Sequence, residues 1–188
     1  MVFESTPIDG LFVLIPERYE DGRGFFARAW CAEEFAEMGL VNRLVQSNIS
    51  FNTRSGTLRG MHYQAYPHGE VKIVRCTSGA IFDVAVDVRA GSPTHLQSFG
   101  IELTADNRKA LYIPKGFAHG FLSLVDGAEV YYYMSSEYAP EYARGLRWND
   151  PALGIVWPFD PVVINDRDAN YPDYAPAADY FEVSDVRA

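Results

Sequence analysis

The chain has 188 residues, of which 48% are hydrophobic and 22% charged, and its formal net charge at pH 7 is -9. This length and composition predict one folded domain spanning residues 1–188 and exclude a disordered chain. The acidic balance argues against nucleic acid or an anionic membrane as a partner, because both attract basic surfaces.

The N-terminus and the cysteines predict a cytoplasmic protein. The first residues, MVFESTPIDG, contain acids and a proline where a signal peptide would need a basic start and an unbroken apolar stretch. No segment approaches the ~20 apolar residues of a membrane span. Cys31 and Cys76 are the only cysteines, and their spacing fits neither a disulfide framework nor a structural zinc site. We expect two reduced thiols and no membrane partner.

Short turn sequences divide most of the chain into runs rich in aromatic and β-branched residues, which favour strands. In chain order the predicted strands are LFVLIP (11–16), FFARAW (25–30), RLVQSNIS (43–50), TLRGMHYQ (57–64), VKIVRC (71–76), AIFDVAVDV (80–88), SFGIELT (98–104), ALYIP (110–114), HGFLSLV (119–125) and EVYYYMSS (129–136). One helix is predicted at residues 31–40, where Phe35 and Met38 lie three residues apart and Gly39 can end it.

The pattern predicts an all-β fold of the cupin type, a double-stranded β-helix or jelly roll with one or two short helices. Such a fold can enclose a ligand cavity with its inner side chains. A plain β-sandwich is the alternative. The chain after Trp157, rich in Asp, Pro and Tyr, is predicted to pack on this body as loop and extended structure.

The predicted strand TLRGMHYQ carries two cations that a regular strand would place on opposite faces. Arg59 and His62 are three residues apart, so they converge only if the strand is irregular. Gly60 lies between them and is suited to a β-bulge, which re-aims side chains beside a site. Lys72, Asp83, His119, Tyr132 and Tyr138 follow in or beside later strands.

Each of these residues alone has an ordinary explanation. A strand Lys or Arg usually faces solvent, and His119 or Asp83 can be a satisfied hydrogen-bonding residue. A functional site is indicated by their combination, because such groups are costly to bury unpaired.

A metal-binding cupin is one enzyme hypothesis. His62 and His119 occupy positions typical of cupin ligands, and PKGFAH (114–119) fits the second cupin motif. Gln64 replaces the second histidine of an HxH pair, however, and Glu70 lies too far along the chain. Two imidazoles fall short of the three or more protein ligands usual for a divalent site, so no metal is expected.

Six sequence motifs occur in a fixed order along the chain: DGRGFF (21–26), QSNIS (46–50), LRGMHYQ (58–64), FDVAVDVR (82–89), IPKGFAHGF (113–121) and RGLRWNDPALGIVWP (144–158). Together they closely resemble the dTDP-4-dehydrorhamnose 3,5-epimerase family over nearly the whole chain. The resemblance implies a homodimeric cupin that needs no cofactor. It also implies a nucleotide-diphosphate sugar as substrate, with a 4-keto-6-deoxyhexose of which C3, C5 or both are inverted in deoxysugar biosynthesis.

By this resemblance His62 is the base, and Asp168 orients and charges it. Lys72 helps to hold the enolate oxygen, and Tyr132 delivers a proton from the opposite face. The family's substrate contacts carry over to Arg23, Gln46, Asn48, Arg59, His119 and Arg167, with Tyr138 stacking on the base. Arginines suit the diphosphate, because guanidinium forks match its oxygens.

Two departures from the family pattern bear on the substrate. Arg28 and Ala143 stand where the family usually has glutamates on the nucleotide-binding side. Thymine offers an N3–H donor that a carboxylate accepts, whereas cytosine offers an acceptor that prefers arginine. Arg28 therefore raises the hypothesis of a CDP-linked sugar, and the alternative is that Arg28 points to solvent. One-centre epimerisation and a non-catalytic sugar-nucleotide-binding cupin also stay open.

Overall fold

A computed structural model describes residues 1–176 and Phe181. In this part of the chain thirteen strands and two short α-helices form. The strands are Val2–Ser5 (β1), Phe12–Ile15 (β2), Arg18–Asp21 (β3), Gly24–Ala27 (β4), Gln46–Asn52 (β5), Leu58–Gln64 (β6), Lys72–Ser78 (β7), Ala80–Asp87 (β8), Ser98–Thr104 (β9), Ala110–Ile113 (β10), Phe117–Ser123 (β11), Ala128–Met134 (β12) and Ala143–Gly145 (β13). The helices are Ala32–Glu37 (α1) and Asp166–Ala169 (α2).

The strands build two antiparallel sheets and a separate hairpin. One sheet has the order β1-β2-β10-β7-β12-β5, the other has the order β13-β6-β11-β8-β9, and β3 pairs with β4. Apart from the pairs β1–β2 and β8–β9, neighbours within each sheet are not consecutive in sequence, so the chain crosses repeatedly between the layers. This arrangement confirms the predicted all-β jelly roll with short helices.

The main core lies between the two sheets. Val74, Leu111 and Val130 contribute from the six-stranded sheet, and Ile81 and Phe121 contribute from the five-stranded sheet. All five are less than 5% exposed. Burying side chains of this size stabilises the fold by roughly 1.5–3 kcal/mol each, before the entropy of ordering the chain is subtracted. This core holds in place strands that also carry polar residues facing the interior, among them Lys72 on β7 and His119 on β11.

All ten predicted strands form, with shifted ends, and three further strands had not been predicted. β1 has only four residues, and β13 has three. β3 has the sequence RYED, and all four of its residues are exposed, so it lacks the alternating apolar pattern of a half-buried strand. These strands form through pairing with a neighbour, which sequence periodicity does not report.

The predicted helix is confirmed as α1, which buries Phe35 completely and closes where Gly39 adopts a φ of +67°. The segment after Trp157 is mostly loop, but it contains α2, which had not been predicted. Residues 177–180 and 182–188 lie outside the described residues, so the predicted packing of the tail and the single domain over 1–188 stay predictions there. Within the described residues no helix is long and apolar enough to span a membrane.

A buried ion pair braces the connection after β8. Asp87 is fully buried, and its carboxylate accepts hydrogen bonds from Arg89, Ser92 and Thr94. Burial by itself would raise the pKa of Asp87, but these hydrogen bonds together lower it below its ordinary value near 3.8. The Arg89 guanidinium also lies 4.6 Å from the ring centroid of Phe117, at the start of β11. The pair thus supports a strand that carries a site residue.

Asp87→Asn should lower the free energy of unfolding at pH 7 by about 3–5 kcal/mol, because it leaves the buried Arg89 charge unpaired. A lowered pKa gives stability that is present above the unfolded pKa and is lost as pH falls through the folded pKa. The deficit of the variant should therefore shrink below about pH 3.8. Urea unfolding of both proteins from pH 7 to pH 3 measures this, with the exposed Asp160→Asn as control. A deficit that is constant with pH would contradict it.

Candidate active site

Two adjoining cavities lie between the sheets, with volumes of about 360 Å³ and about 420 Å³. We call them the first and the second cavity. His62, Lys72 and Tyr132 line both, so these three side chains stand where the cavities meet. The first cavity is also lined by Ile49, Ser50, Phe51, Arg59, His119, Phe121, Asn165 and Asp168. The second is also lined by Gln46, Asn48, Tyr63, Gln64, Glu70, Met134, Tyr138, Ala143, Arg144 and Arg167.

His62 and Asp168 form a hydrogen-bonded pair between β6 and α2. His62 Nε2 lies 2.8 Å from Asp168 Oδ1, and Gly60 N–H donates to the other carboxylate oxygen at 3.1 Å. Asp168 is 1% exposed, whereas the His62 side chain is 41% exposed. The imidazole therefore faces the cavities while a buried carboxylate holds its Nε2, an arrangement that fixes the orientation of the ring.

The charge of the pair is maintained by its surroundings. Burial would raise the pKa of Asp168, but the hydrogen bond and charge of His62, the Gly60 N–H and the Arg167 charge lower it below its ordinary value. The carboxylate is consequently ionised at neutral pH and stabilises a positive charge on His62 when the imidazole takes up a proton.

The predicted irregularity of β6 is confirmed. His62 pairs with His119 on β11, but Arg59 pairs with Phe121, so three steps on β6 oppose two on β11. Gly60, with a φ of +141°, is the residue within this bulge that adopts the left-handed backbone. The extra residue brings Arg59 and His62, which a regular strand would separate, to the same cavity.

Lys72 and Tyr132 approach from the opposite sheet. Lys72 begins β7, and its Nζ donates to His62 O at 3.1 Å and forms an ion pair with Glu70 Oε1, also at 3.1 Å. Tyr132 lies on β12 between Val74 and Asn48 of the neighbouring strands. Burial raises the pKa of Tyr132, although the Arg59 charge opposes the shift. The phenol therefore keeps its proton at neutral pH and can serve as a donor.

Arg59 and His119 complete the polar wall of the first cavity. Arg59 Nε donates to Asn52 Oδ1 at 2.9 Å, and its Nη2 donates to Phe51 O at 3.2 Å. His119 Nε2 lies 2.8 Å from Asp83 Oδ1, and Asp83 is fully buried. A second imidazole is thus held by a carboxylate beside the first, because His62 and His119 are paired across the strands.

The second cavity collects the other predicted ligand-binding residues. Gln46 and Asn48 line it from β5, and Tyr138 and Arg167 line it from loops and α2. Tyr138 is 56% exposed, which leaves its ring open to a stacking partner. The pKa of Arg167 is raised, chiefly by its charge interaction with Tyr171, so its guanidinium stays cationic. This cavity offers an aromatic face beside a fixed positive charge.

Two predicted substrate-binding residues do not reach either cavity within one chain. Arg23 lies on the β3–β4 hairpin with a side chain 91% exposed, and it pairs with Asp21. The Arg28 side chain is 59% exposed, and its Nη1 lies 2.8 Å from Glu34 Oε1. Their roles in substrate binding, and the link from Arg28 to the nucleotide base, stay predictions.

Sequence reasoning missed four residues at or beside the site. Asn165 caps α2 by accepting from Asp168 N–H at 2.7 Å, and Asn at this position is a recognisable N-cap signal. Glu70 and Arg144 line the second cavity, and the Tyr171 ring packs edge-on to His62 at 5.9 Å. The last three come from loops or a short strand, where no periodicity marks them.

Gln64 stands where a metal-binding cupin would have its second histidine, and its amide group is occupied by hydrogen bonds within the protein. It donates to His68 O and Glu137 O and accepts from Ala139 N–H. Within residues 1–176 and Phe181, no group of three or more His, Cys, Asp or Glu side chains is arranged to hold a metal ion.

Comparisons with known proteins give a consistent result. Residues 5–175 match the family model described as dTDP-4-dehydrorhamnose 3,5-epimerase. The dTDP-4-dehydrorhamnose 3,5-epimerase of Sinorhizobium fredii is 41% identical over 177 residues, covering 92% of this chain and 89% of that protein.

Two solved structures also share the fold closely. NovW of Streptomyces spheroides, a 4-keto-6-deoxy sugar epimerase from the novobiocin cluster, has a TM-score of 0.91 and 35% identity, covering 99% of this chain and 95% of that one. ChmJ of Streptomyces bikiniensis, a 3'-monoepimerase in complex with dTDP-quinovose, has a TM-score of 0.83 and 37% identity, covering 89% and 85% respectively.

Gly60→Ala should disrupt the bulge that brings Arg59 and His62 together. A Cβ at this position would lie 2.5 Å from Gly120 Cα and 3.2 Å from His119 O, in a backbone that L residues rarely adopt. We expect a loss of unfolding free energy of at least about 1–3 kcal/mol, the usual cost of overpacking, in thermal or urea unfolding. Gly127→Ala is the control, because Gly127 has a φ of +70° but nothing within 4 Å. Equal losses would show that the close strand contact is unimportant.

Proposed function

The chain belongs to the dTDP-4-dehydrorhamnose 3,5-epimerase family, and we propose from this premise that it is an isomerase of deoxysugar biosynthesis. It epimerises the 4-keto-6-deoxyhexose of a dTDP-linked sugar and uses no cofactor. The observation that carries the proposal is the His62–Asp168 pair facing Tyr132 across a cavity between two sheets. We also propose that residues 1–188, including those outside the described part of the chain, form one domain.

The reaction needs a base, an oxyanion stabiliser and an acid. A C4 ketone acidifies the protons on C3 and C5, because the resulting carbanion is delocalised as an enolate. His62 removes the proton, and the ionised Asp168 stabilises the imidazolium that forms. The Lys72 ammonium then faces the negative charge that develops on the C4 oxygen.

Inversion requires that the new proton arrive on the other face of the carbanion. His62 belongs to the five-stranded sheet, and Tyr132 belongs to the six-stranded sheet. A sugar ring held between the sheets therefore meets the base on one face and the phenol on the other. Tyr132 retains its proton at neutral pH because burial raises its pKa, so it is ready to donate.

The nucleotide diphosphate is bound by the remaining polar groups. Arg59, Arg167 and His119 offer donors to phosphate oxygens, and Gln46 and Asn48 offer amides to the sugar or the base. The open ring of Tyr138 stacks on the base. An overall acidic chain thus concentrates cations where its anionic ligand binds.

We also propose that the chain acts as a homodimer. The β3–β4 hairpin exposes Tyr19 and Phe26 by 67% and 71%, and the edge strand β5 exposes Ile49 and Phe51 by 63% and 56%. Apolar groups of this size on a hairpin and an open sheet edge favour association. Arg23 and Arg28 lie away from the cavities of their own chain. In a dimer they would be able to reach a cavity of the second copy.

Two finer points of the proposal have alternatives. A one-centre epimerase acting on a CDP-linked sugar would use the same base and acid, and ChmJ is a relative that acts on one centre. A sugar-nucleotide-binding protein without turnover would have no use for His62 aligned with Asp168.

We place the protein in the cytoplasm, which suits two cysteines that are both free thiols.

Incubation in D₂O with dTDP-linked and, separately, CDP-linked 4-keto-6-deoxyglucose tests the activity, with the C3 and C5 protons followed by NMR. We expect exchange and inversion with the dTDP sugar. His62→Ala should lower turnover about 10²–10⁴-fold, the usual contribution of base catalysis, and should retain dTDP affinity in calorimetry. Tyr132→Phe should retain exchange but lose inversion, since the proton donor on the second face is gone.

Other outcomes of this experiment have distinct meanings. Turnover confined to the CDP sugar would overturn the base assignment, and exchange at one carbon would identify a one-centre enzyme. Absence of exchange with both sugars would overturn the enzyme proposal and favour the binding protein.

The dimer predicts a mass in light scattering near twice the 21.1 kDa of one chain. Phe26→Asp should shift the mass towards that of the monomer, because it places a charge in the apolar hairpin surface. Val156→Asp is the matched control, since Val156 is 83% exposed and lies away from the hairpin and β5. A wild-type mass equal to one chain would contradict the dimer.

A further inference from the structure

Glu70 is a buried carboxylate at the active site for which the proposed chemistry has no use. It precedes β7 by two residues and lines the second cavity together with His62 and Lys72. Its side chain is 4% exposed, and its Oε1 lies 3.1 Å from Lys72 Nζ. Within the described residues its Oε2 is buried and has no hydrogen-bond partner. A charge in such a place is costly to bury and requires a compensating role or partner.

The partner is Lys72, whose donors can be counted. A lysine ammonium has three N–H donors and no acceptor. One donor is directed to His62 O at 3.1 Å, and Glu70 Oε1 lies 3.1 Å from the same Nζ as its ion-pair partner. Two protein acceptors on different elements therefore fix the head group, and the third donor is left for an oxygen in the cavities that Lys72 lines.

We propose that Glu70 is a positioning residue that aims the Lys72 ammonium at the C4 oxygen of the sugar. The inference rests on the proposed function, in which Lys72 stabilises the enolate. Glu70 acts through the ion pair of its Oε1 with Lys72 Nζ and does not touch the reacting atoms. Because its carboxylate is held in place by burial, it limits the motion of a head group that four flexible carbons would otherwise allow.

The energetic reason lies in when Lys72 acts. Negative charge gathers on the C4 oxygen only as the enolate forms, so a well-aimed ammonium stabilises the transition state more than the bound ketone. A misplacement of about 1 Å can cost about 10²-fold in rate. Loss of the Glu70 contact with Lys72 should thus lower kcat and leave KM and nucleotide affinity nearly unchanged.

Three substitutions separate hydrogen bonding from charge. Glu70→Ala removes both, Glu70→Gln keeps an acceptor at the same reach, and Glu70→Asp keeps the charge on a stem one carbon shorter. Each variant is assayed by proton exchange and inversion in D₂O. The rates are divided by the concentration of binding sites, which is measured by titration with dTDP. Glu102→Ala is the matched control, an exposed glutamate on β9 remote from the cavities.

We expect Glu70→Ala to lower kcat about 10–10²-fold, with the dTDP dissociation constant within about twofold of the wild type. Glu70→Gln should retain more activity than Glu70→Asp, because an acceptor at the right distance is what positions Lys72. The relative activity of Glu70→Gln and Glu70→Asp tests the positioning role of Glu70 even if Glu70→Ala does not fold. Equal or greater activity of Glu70→Asp, or a Glu70→Ala kcat within twofold of wild type, would overturn the proposal.

A double-mutant cycle with Lys72→Met supplies the second readout. If Glu70 acts through Lys72, Glu70→Ala, which should lower kcat about 10–10²-fold in the wild-type background, should change kcat by less than about twofold in the Lys72→Met background. The same fold loss in both backgrounds would show an independent role and overturn the inference. Absence of exchange by the wild-type protein would instead mean that the proposed function has failed, so the two failures are distinguishable.

Discussion

The Asp168 carboxylate holds the site together. It is the buried third residue of a four-residue helix, and it bonds at once to the His62 imidazole and to the Gly60 N–H, more than 100 positions earlier in the chain. Asn165 caps the same short helix by accepting a hydrogen bond from the Asp168 backbone N–H. A helix of this length has little stability of its own. Its position, and with it the orientation of the imidazole, therefore depends on these polar contacts with the bulge of β6.

The interior accommodates its charges by pairing each with a nearby group. Asp168 and Asp83 each hold an imidazole, Glu70 holds Lys72, and Asn52 holds Arg59. Because the low-dielectric interior penalises an unpaired charge, such a cluster tolerates the loss of one member poorly. The apolar end of the same interior provides the rigid walls on which these groups are mounted.

The sequence predicted the site better than it predicted the elements that position it. Strands with apolar alternation, such as β8 and β11, were identifiable, and Gly60 correctly indicated an irregular strand. The exposed β3 and the three-residue β13 exist only through pairing partners, which a single sequence does not display. Glu70, Arg144 and Tyr171 reach the cavities through tertiary contacts, so no local pattern marked them. Arg23 and Arg28 show the converse limit, since both were predicted at the site and both lie outside the cavities of their own chain.

The division of His62 and Tyr132 between two sheets has a stereochemical consequence under the proposed function. Handedness of the product is set by architecture, because the base lies in one layer and the proton donor in the other. A donor transplanted onto β6 or β11 would reprotonate the carbanion from the side it left and give retention.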